Sequence, residues 1–439
     1  MGVRLEKADI LITGCIVLPM NDNSFIKNGA IAIKDGNMVF VGKSSSAASI
    51  TADLKINAKG KVALPGLINC HTHVPMTLFR GVAEDQPLNE WLKNIIWPLE
   101  AKLSSEDIYH GSVLGCLEMI RSGTTCFGDM YFHEDIIAEA VKESGLRGVL
   151  AEGIIEEGNK ALGEKMLKQS IGFAESFHGY ADDRVNVMLG PHAAYSCSSE
   201  LLIRVSEEAS RLGVGVHLHV AESRAMFSEL EKKYGCSEVE FLNRIGFLKK
   251  NVVAAHCIDL ASKDRRILAE RGVNVVYCPM SNMKLGLGTA HVKDLLDLGV
   301  CVGLGTDGPA SNNSLDMLEN MKFGALLQKA VYHDPAVLPA YETLRMATIE
   351  GAKILGLVEQ VGSLEVGKKA DVILVDLSKP HLKPLHDVYA NLVYSARGSD
   401  VDTVIVDGKI LMENRQVKTL DEQTVMKKAE KAAFGLVSR

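Results

Sequence analysis

The sequence predicts an α/β protein: a (β/α)8 barrel with a small β-sandwich domain formed from both chain ends. Three observations carry this expectation. Between residues 64 and 357, short β-branched runs alternate with longer helical patterns eight times over. Both chain ends instead carry β-rich runs separated by Asn, Asp and Gly turn residues. Polar residues of metal-binding and acid-base type fall where the strand candidates end, and a parallel barrel keeps its chemistry at that face. The boundaries read from the pattern are 1–63 plus 358–420 for the discontinuous small β domain, 64–357 for the barrel, and 421–439 for a C-terminal helix.

The elements follow in order. Residues 10–18, 30–33 and 38–41 read as strands. The apolar stretch 10–20 follows Glu6 and Asp9, contains Gly14 and Pro19 and lacks a small-residue cleavage site, so it reads as a strand and not as a signal peptide or anchor. The eight barrel strands are expected at 62–73, 124–129, 147–152, 185–192, 215–220, 252–256, 273–278 and 301–306. Helical patterns between them include 104–121, 199–212 and 262–271, and two more, 314–330 and 341–355, exceed the minimal count. β-rich runs return at 371–375 and 403–406, the second followed by the hairpin signal Asp407-Gly408.

Composition narrows the function classes. Apolar residues make up 47% and charged residues 23%, which excludes a disordered or low-complexity chain. Forty-eight Lys and Arg against 55 Asp and Glu give −7, with no block of five or six like charges, so no nucleic-acid footprint is present and no membrane surface is addressed. Lys427, Lys428 and Lys431 read as a solvated helix face. Nine Cys without a C-x-x-C pair argue for reduced thiols in the cytoplasm and against a disulfide framework. A small-molecule substrate is the expected partner, and a homo-oligomer is left open.

His71-Thr72-His73 is an H-x-H pair whose period of two points both imidazoles to one side of a strand. His219, His256 and Asp307 end or follow three further strand candidates, completing the mixed nitrogen and carboxylate set of a hydrolytic zinc or iron site. His217 and His219 are also two apart, and spacing alone allows either. Gly303 to Gly308 fits G-x-G-x-x-G literally, but Asp307 would face the pyrophosphate and Pro309 follows, so dinucleotide binding is discounted. The P-C-x-x-C half of the cytidine-deaminase zinc signature is missing.

The run Pro65-Gly66-Leu67-Ile68-Asn69-Cys70-His71-Thr72-His73, with His219-Val220-Ala221-Glu222, Ala255-His256-Cys257 and Gly305-Thr306-Asp307-Gly308, resembles the amidohydrolase superfamily. Within it, Trp97-Pro98-Leu99-Glu100, Asp129-Met130-Tyr131-Phe132, Gly190-Pro191-His192 and Ala310-Ser311-Asn312-Asn313-Ser314 are similar to the methylthioadenosine/S-adenosylhomocysteine deaminases. The likeness spans nearly the whole chain, with the motifs in family order.

The resemblance implies hydrolytic deamination of the adenine ring of 5'-modified adenosines. It implies one divalent ion, zinc first and iron second, on His71, His73, His219 and Asp307, with the His-x-x-Glu spacing to Glu222 selecting His219 over His217. Members with two metals are expected to carry a bridging Lys on strand four, and 185–192 has none. Glu222 would protonate the ring nitrogen beside C6 and then serve the leaving amine, Asp307 would take the water's proton, and His256 would hold the water.

Glu100 and His192 resemble ribose contacts. Ser311 is a candidate for the purine edge, or else a cap near Ser314, and Trp91 and Trp97 are candidates for stacking or a lid, or else core packing. Family members that accept S-adenosylhomocysteine are expected to place arginines in and after strand three. Here Glu152 stands at such a position, either facing the ligand or else packed against a Lys or Arg of a neighbouring unit, and Glu156 and Glu157 follow, so substrates without the homocysteine carboxylate are expected to be preferred. The alternatives are a guanine- or triazine-type hydrolase of the same superfamily and, from another class, an inactive barrel that serves as a binding or scaffold protein.

Overall fold

The computed structural model describes residues 7–82 and 84–439. Eight parallel strands, β1 (Leu67–Thr72), β2 (Thr124–Tyr131), β3 (Arg147–Ile154), β4 (Val185–Pro191), β5 (Gly215–Val220), β6 (Val252–His256), β7 (Asn274–Tyr277) and β8 (Val302–Leu304), pair in sequence order. The ring closes between its last and first members. The Asp307 N–H donates to the His71 carbonyl at 2.9 Å, and Asn69 Nδ2 donates to Thr306 Oγ1 at 2.7 Å. β1, β2, β6 and β8 are buried along their full length, as expected of parallel strands covered by helices outside and side chains within.

One strand reading is corrected. Residues 62–73 form two strands in two different sheets. Lys61–Pro65 pairs antiparallel with Val372–Asp376, and the barrel begins only at Leu67. Gly66 permits the switch, because a Cβ there would lie 2.0 Å from Thr125 Oγ1. The eighth strand is shorter than the run 301–306, since the backbone leaves the sheet before Asp307, which adopts φ 62.

The chain ends meet in a nine-stranded sheet. It branches at Lys7–Val17, which pairs with Ile26–Lys34 along its length, with Thr51–Asn57 through its first half and with Lys61–Pro65 at its end. The change of partner coincides with Gly14 (φ 84) and a shift of register there. Ile12, Val17, Ile31, Val372 and Leu374 fill a core separate from the barrel's.

Arg147, at the start of β3, joins the two cores. Its Nε and Nη2 reach the two Asp371 oxygens at 3.1 and 3.2 Å, with both side chains almost wholly buried. The helix Ser105–Ser122 starts with a Ser104/Asp107 capping box and stops at Gly123 (φ 89). Arg439, just beyond the C-terminal helix Glu422–Val437, donates to Asp107 at 2.6 Å. All nine cysteines are unpaired. Among the described residues no helix is long and apolar enough to cross a membrane.

Candidate active site

The C-terminal strand ends gather the histidines. His71 and His73 leave the end of β1 and His219 lies at the end of β5, with His73 Nε2 3.4 Å from His219 Nε2. Asp307 Oδ1 lies 3.2 Å from His73 Nε2 and 3.5 Å from His71 Nε2. Each imidazole is held through its other nitrogen. His73 Nδ1 donates to the Met130 carbonyl at 2.5 Å, His219 Nδ1 donates to the His192 carbonyl at 2.8 Å, and His71 Nδ1 shares a 2.9 Å hydrogen bond with His217 Nε2. His217 therefore supports His71 and does not itself reach the centre.

Three groups settle Asp307. Ser281 and Ser311 donate to its Oδ2 at 2.5 and 2.7 Å, and the Gly308 N–H donates to Oδ1 at 2.8 Å. Burial opposes its ionisation, but His71 and His73 overcome that and hold the carboxyl well below the usual range.

This cluster fits a divalent cation. Nitrogens of His71, His73 and His219 lie within 4.8 Å of one another, as do ligand atoms of His71, His256 and Asp307. His71 Nε2 is buried without a hydrogen-bond partner, and burial drives that imidazole down to about 4, so at neutral pH it offers a lone pair into the cluster.

Beside the cluster stand two groups suited to proton transfer. His256 donates from Nδ1 to Asn282 Oδ1 at 3.0 Å, which leaves Nε2 facing Glu222 Oε1 at 3.8 Å. Burial raises the Glu222 carboxyl above its ordinary value, favouring the protonated acid, while His256 draws it back.

Both groups open onto a cavity of about 510 Å³. Glu100 and His192 line its walls, as do Trp91, Trp97 and Ser311. Trp91 is buried and Trp97 half-buried. Ser311 faces the cavity with its hydroxyl proton committed to Asp307. His192 receives or gives a 3.0 Å bond with Ser196 Oγ, and burial lowers it to about 4, so it is a neutral imidazole.

Sequence reasoning missed Tyr131, whose hydroxyl donates to Glu100 Oε1 at 2.7 Å. The motif Asp129-Met130-Tyr131-Phe132 already contained it, two residues past the end of the strand candidate 124–129.

Glu152 is where the structure departs most from expectation. It neither faces the cavity nor meets a Lys or Arg: its two oxygens accept the N–H groups of His133 and Glu134, capping the helix Glu134–Ser144. Glu156 likewise accepts the Ser198 N–H at 2.8 Å. Glu157 does line the cavity, and among the described lining residues there is no Lys or Arg.

A barrel with a His/Asp cluster of metal-ligand spacing at its strand ends and a buried acid beside it has the build of a metal-dependent hydrolase. Residues 62–411 match the amidohydrolase family, and the chain belongs to it. A 5'-deoxyadenosine deaminase of Methanosarcina mazei is 51% identical over 98% of this chain and 99% of its own. A 5-methylthioadenosine/S-adenosylhomocysteine deaminase of Moorella thermoacetica is 50% identical over 95% of this chain and 97% of its own. The solved structure of an adenosine deaminase from Xanthomonas campestris with bound zinc superposes with a TM-score of 0.95 at 34% identity, covering 99% of this chain and all of that one. The chain is a hydrolase acting on carbon–nitrogen bonds, and the inactive-scaffold alternative is set aside.

Proposed function

We propose that this enzyme removes the 6-amino group of adenosine and its 5'-modified relatives, 5'-deoxyadenosine and methylthioadenosine foremost, giving the inosine analogue and ammonia. The observation that carries the reading is the placing of Glu222 and His256 against the His/Asp cluster in a cavity that Glu100 and His192 also line. Relatives at about half identity carry names for this chemistry.

His71, His73, His219 and Asp307 would hold one divalent ion, zinc before iron, and the structurally similar adenosine deaminase has zinc bound. When bound, such an ion lowers the pKa of water from about 15.7 towards about 7, so that a base as weak as Asp307 can take its proton. Glu222, whose carboxyl burial raises above its ordinary value, in its protonated form gives its proton to the ring nitrogen beside C6 as the water oxygen adds to that carbon. It then carries the oxygen's remaining proton to the amine, the C6–N bond breaks, and the proton held by Asp307 returns to Glu222. His256 orients the water through Nε2 and, when that nitrogen carries a proton, donates to the oxygen as negative charge develops on it. Glu100 accepts from the ribose hydroxyls and His192 contacts the sugar. Trp91 and Trp97 wall the base in, and Ser311 keeps the Asp307 carboxylate turned to the cluster.

The test is direct. Purified protein mixed with 5'-deoxyadenosine, methylthioadenosine or adenosine is expected to shift the ultraviolet absorbance from adenine to hypoxanthine, with one metal equivalent per chain by elemental analysis. No shift with any of the three, or full activity after the metal has been chelated away, contradicts the proposal.

A further inference from the structure

Glu238 opens the short helix Glu238–Arg244 and is 4% exposed, outside the residues that line the cavity. Its Oε2 accepts the N–H of Ala221 at 2.8 Å, and the Ala194 amide, two residues after His192, also interacts with the carboxylate. Ala221 directly precedes Glu222 and holds φ 50, a left-handed conformation that a residue with a side chain keeps only where its surroundings impose it.

The rest of that imposition comes from the neighbouring strand end. The Ala221 carbonyl accepts from the Ile258 and Asp259 N–H groups at 3.0 and 3.1 Å, and the Cys257 N–H donates to the Val220 carbonyl at 2.9 Å. His256 and Cys257 are themselves left-handed, at φ 72 and 51. The segments after β5 and β6 are thereby keyed to each other through backbone, with the Glu238 carboxylate receiving the Ala221 N–H.

We infer that Glu238 is a positioning residue: by taking the Ala221 N–H it fixes the left-handed turn that aims the Glu222 carboxyl at His256 and the substrate ring. The inference rests on the reading of Glu222 as the proton donor. A carboxylate suits the place because it can accept from both amides at once. A Gln of the same shape accepts through one oxygen only and turns an NH2 towards the other N–H. An apolar residue leaves a buried amide unpaired.

The test is a double-mutant cycle on the full-length, metal-loaded enzyme with Glu238→Gln, Glu222→Gln and the pair, read as kcat and KM with metal content and thermal melting alongside. Glu238→Gln is expected to lower kcat about tenfold in the wild-type background, with KM within about twofold and the metal retained. In the Glu222→Gln background the same change is expected to lower the residual kcat by less than about twofold, because nothing is left to aim. A purely structural role would lower both backgrounds equally, and that result overturns the inference. So does a Glu238→Gln variant that matches wild type or loses its metal. Should that variant prove insoluble, the same cycle with Glu238→Asp, which keeps the charge and shortens the reach, decides on the same ratios. A wild-type protein that deaminates none of the nucleosides would show itself before any variant is compared, and would remove the functional reading and this inference together.

Discussion

The Tyr131 hydroxyl donates to Glu100 Oε1 at 2.7 Å across the wall of the cavity. Tyr131 ends β2, whereas Glu100 ends the short helix Trp97–Glu100 that follows the first barrel strand, so the bond ties the excursion carrying Trp91 and Trp97 back to the barrel rim. With Oε1 taken, Oε2 is the oxygen left for a substrate diol. Burial pushes Glu100 up to about 7, and the Tyr131 hydrogen bond, with the nearby His73, keeps it from rising further.

Tyr131→Phe is therefore expected to raise KM for adenosine about tenfold with kcat held within about threefold, since a hydrogen bond to a charged group contributes about 1.5–3 kcal/mol. The loss should shrink for 3'-deoxyadenosine, which lacks one of the hydroxyls that Glu100 would accept. Equal losses on the two substrates would show that Tyr131 does not act through Glu100.

The same carboxyl gives a pH dependence with a definite sign. The ionised form accepts from the diol and predominates above about 7. The preference for adenosine over 3'-deoxyadenosine, as a ratio of kcat/KM, is expected to be full at pH 8 and to decline as pH falls through 7 towards 6. In Tyr131→Phe the midpoint should move upward, because the donor that stabilised the anion is gone. A ratio flat from pH 6 to 8 would remove Glu100 from sugar recognition.

Glu222→Gln should keep fold and metal and lose about 10²- to 10⁴-fold in kcat, the usual range for a placed acid-base group, because Gln has no proton to give the ring. Steady-state rates with elemental analysis on the same preparation check this. A rate within threefold of wild type would unseat Glu222 as the acid.

The cavity also bears on the 5' substituent. No Lys or Arg lines it among the described residues, Glu157 does, and Arg147 is committed to Asp371 at the other end of β3. 5'-Deoxyadenosine and methylthioadenosine are expected to show kcat/KM at least about tenfold above S-adenosylhomocysteine, whose carboxylate would enter without a counter-charge. Side-by-side kinetics that favour the homocysteine compound would reverse this.

Asp371→Asn should destabilise the protein by about 3–5 kcal/mol, because it leaves the buried Arg147 guanidinium without its counter-charge. A urea melt of variant against wild type reads it directly. A difference under about 1 kcal/mol would mean that water or another acid reaches Arg147.

The barrel and its centre were legible in the sequence because both write local signals: alternation of β-branched and helical runs, and His71, His73, His219, His256 and Asp307 each standing at the end of a run. What stayed hidden is tertiary. Nothing near Glu238 in sequence shows that its carboxylate meets Ala221, and Ser281 reads as an ordinary polar residue until its hydroxyl is found 2.5 Å from Asp307. Glu152 was misleading because strand position says where a side chain starts but not what it caps. Residues 62–68 on both sides of Gly66 are apolar throughout, so the crossing from one sheet to another there left no trace in hydropathy.

The seam of the barrel is a hydrogen bond from the Asp307 amide to the carbonyl of His71. Two of the four proposed ligands thus sit one on each lip of the closure, contributed by the first and last strands of the barrel. During translation the growing chain can have both H-x-H imidazoles and His219 in place and still lack the carboxylate until β8 has emerged. An ion held by all four would bridge the two lips, and one that binds the joined form alone would act as a clasp, making spontaneous opening at this seam rarer as its free concentration rises.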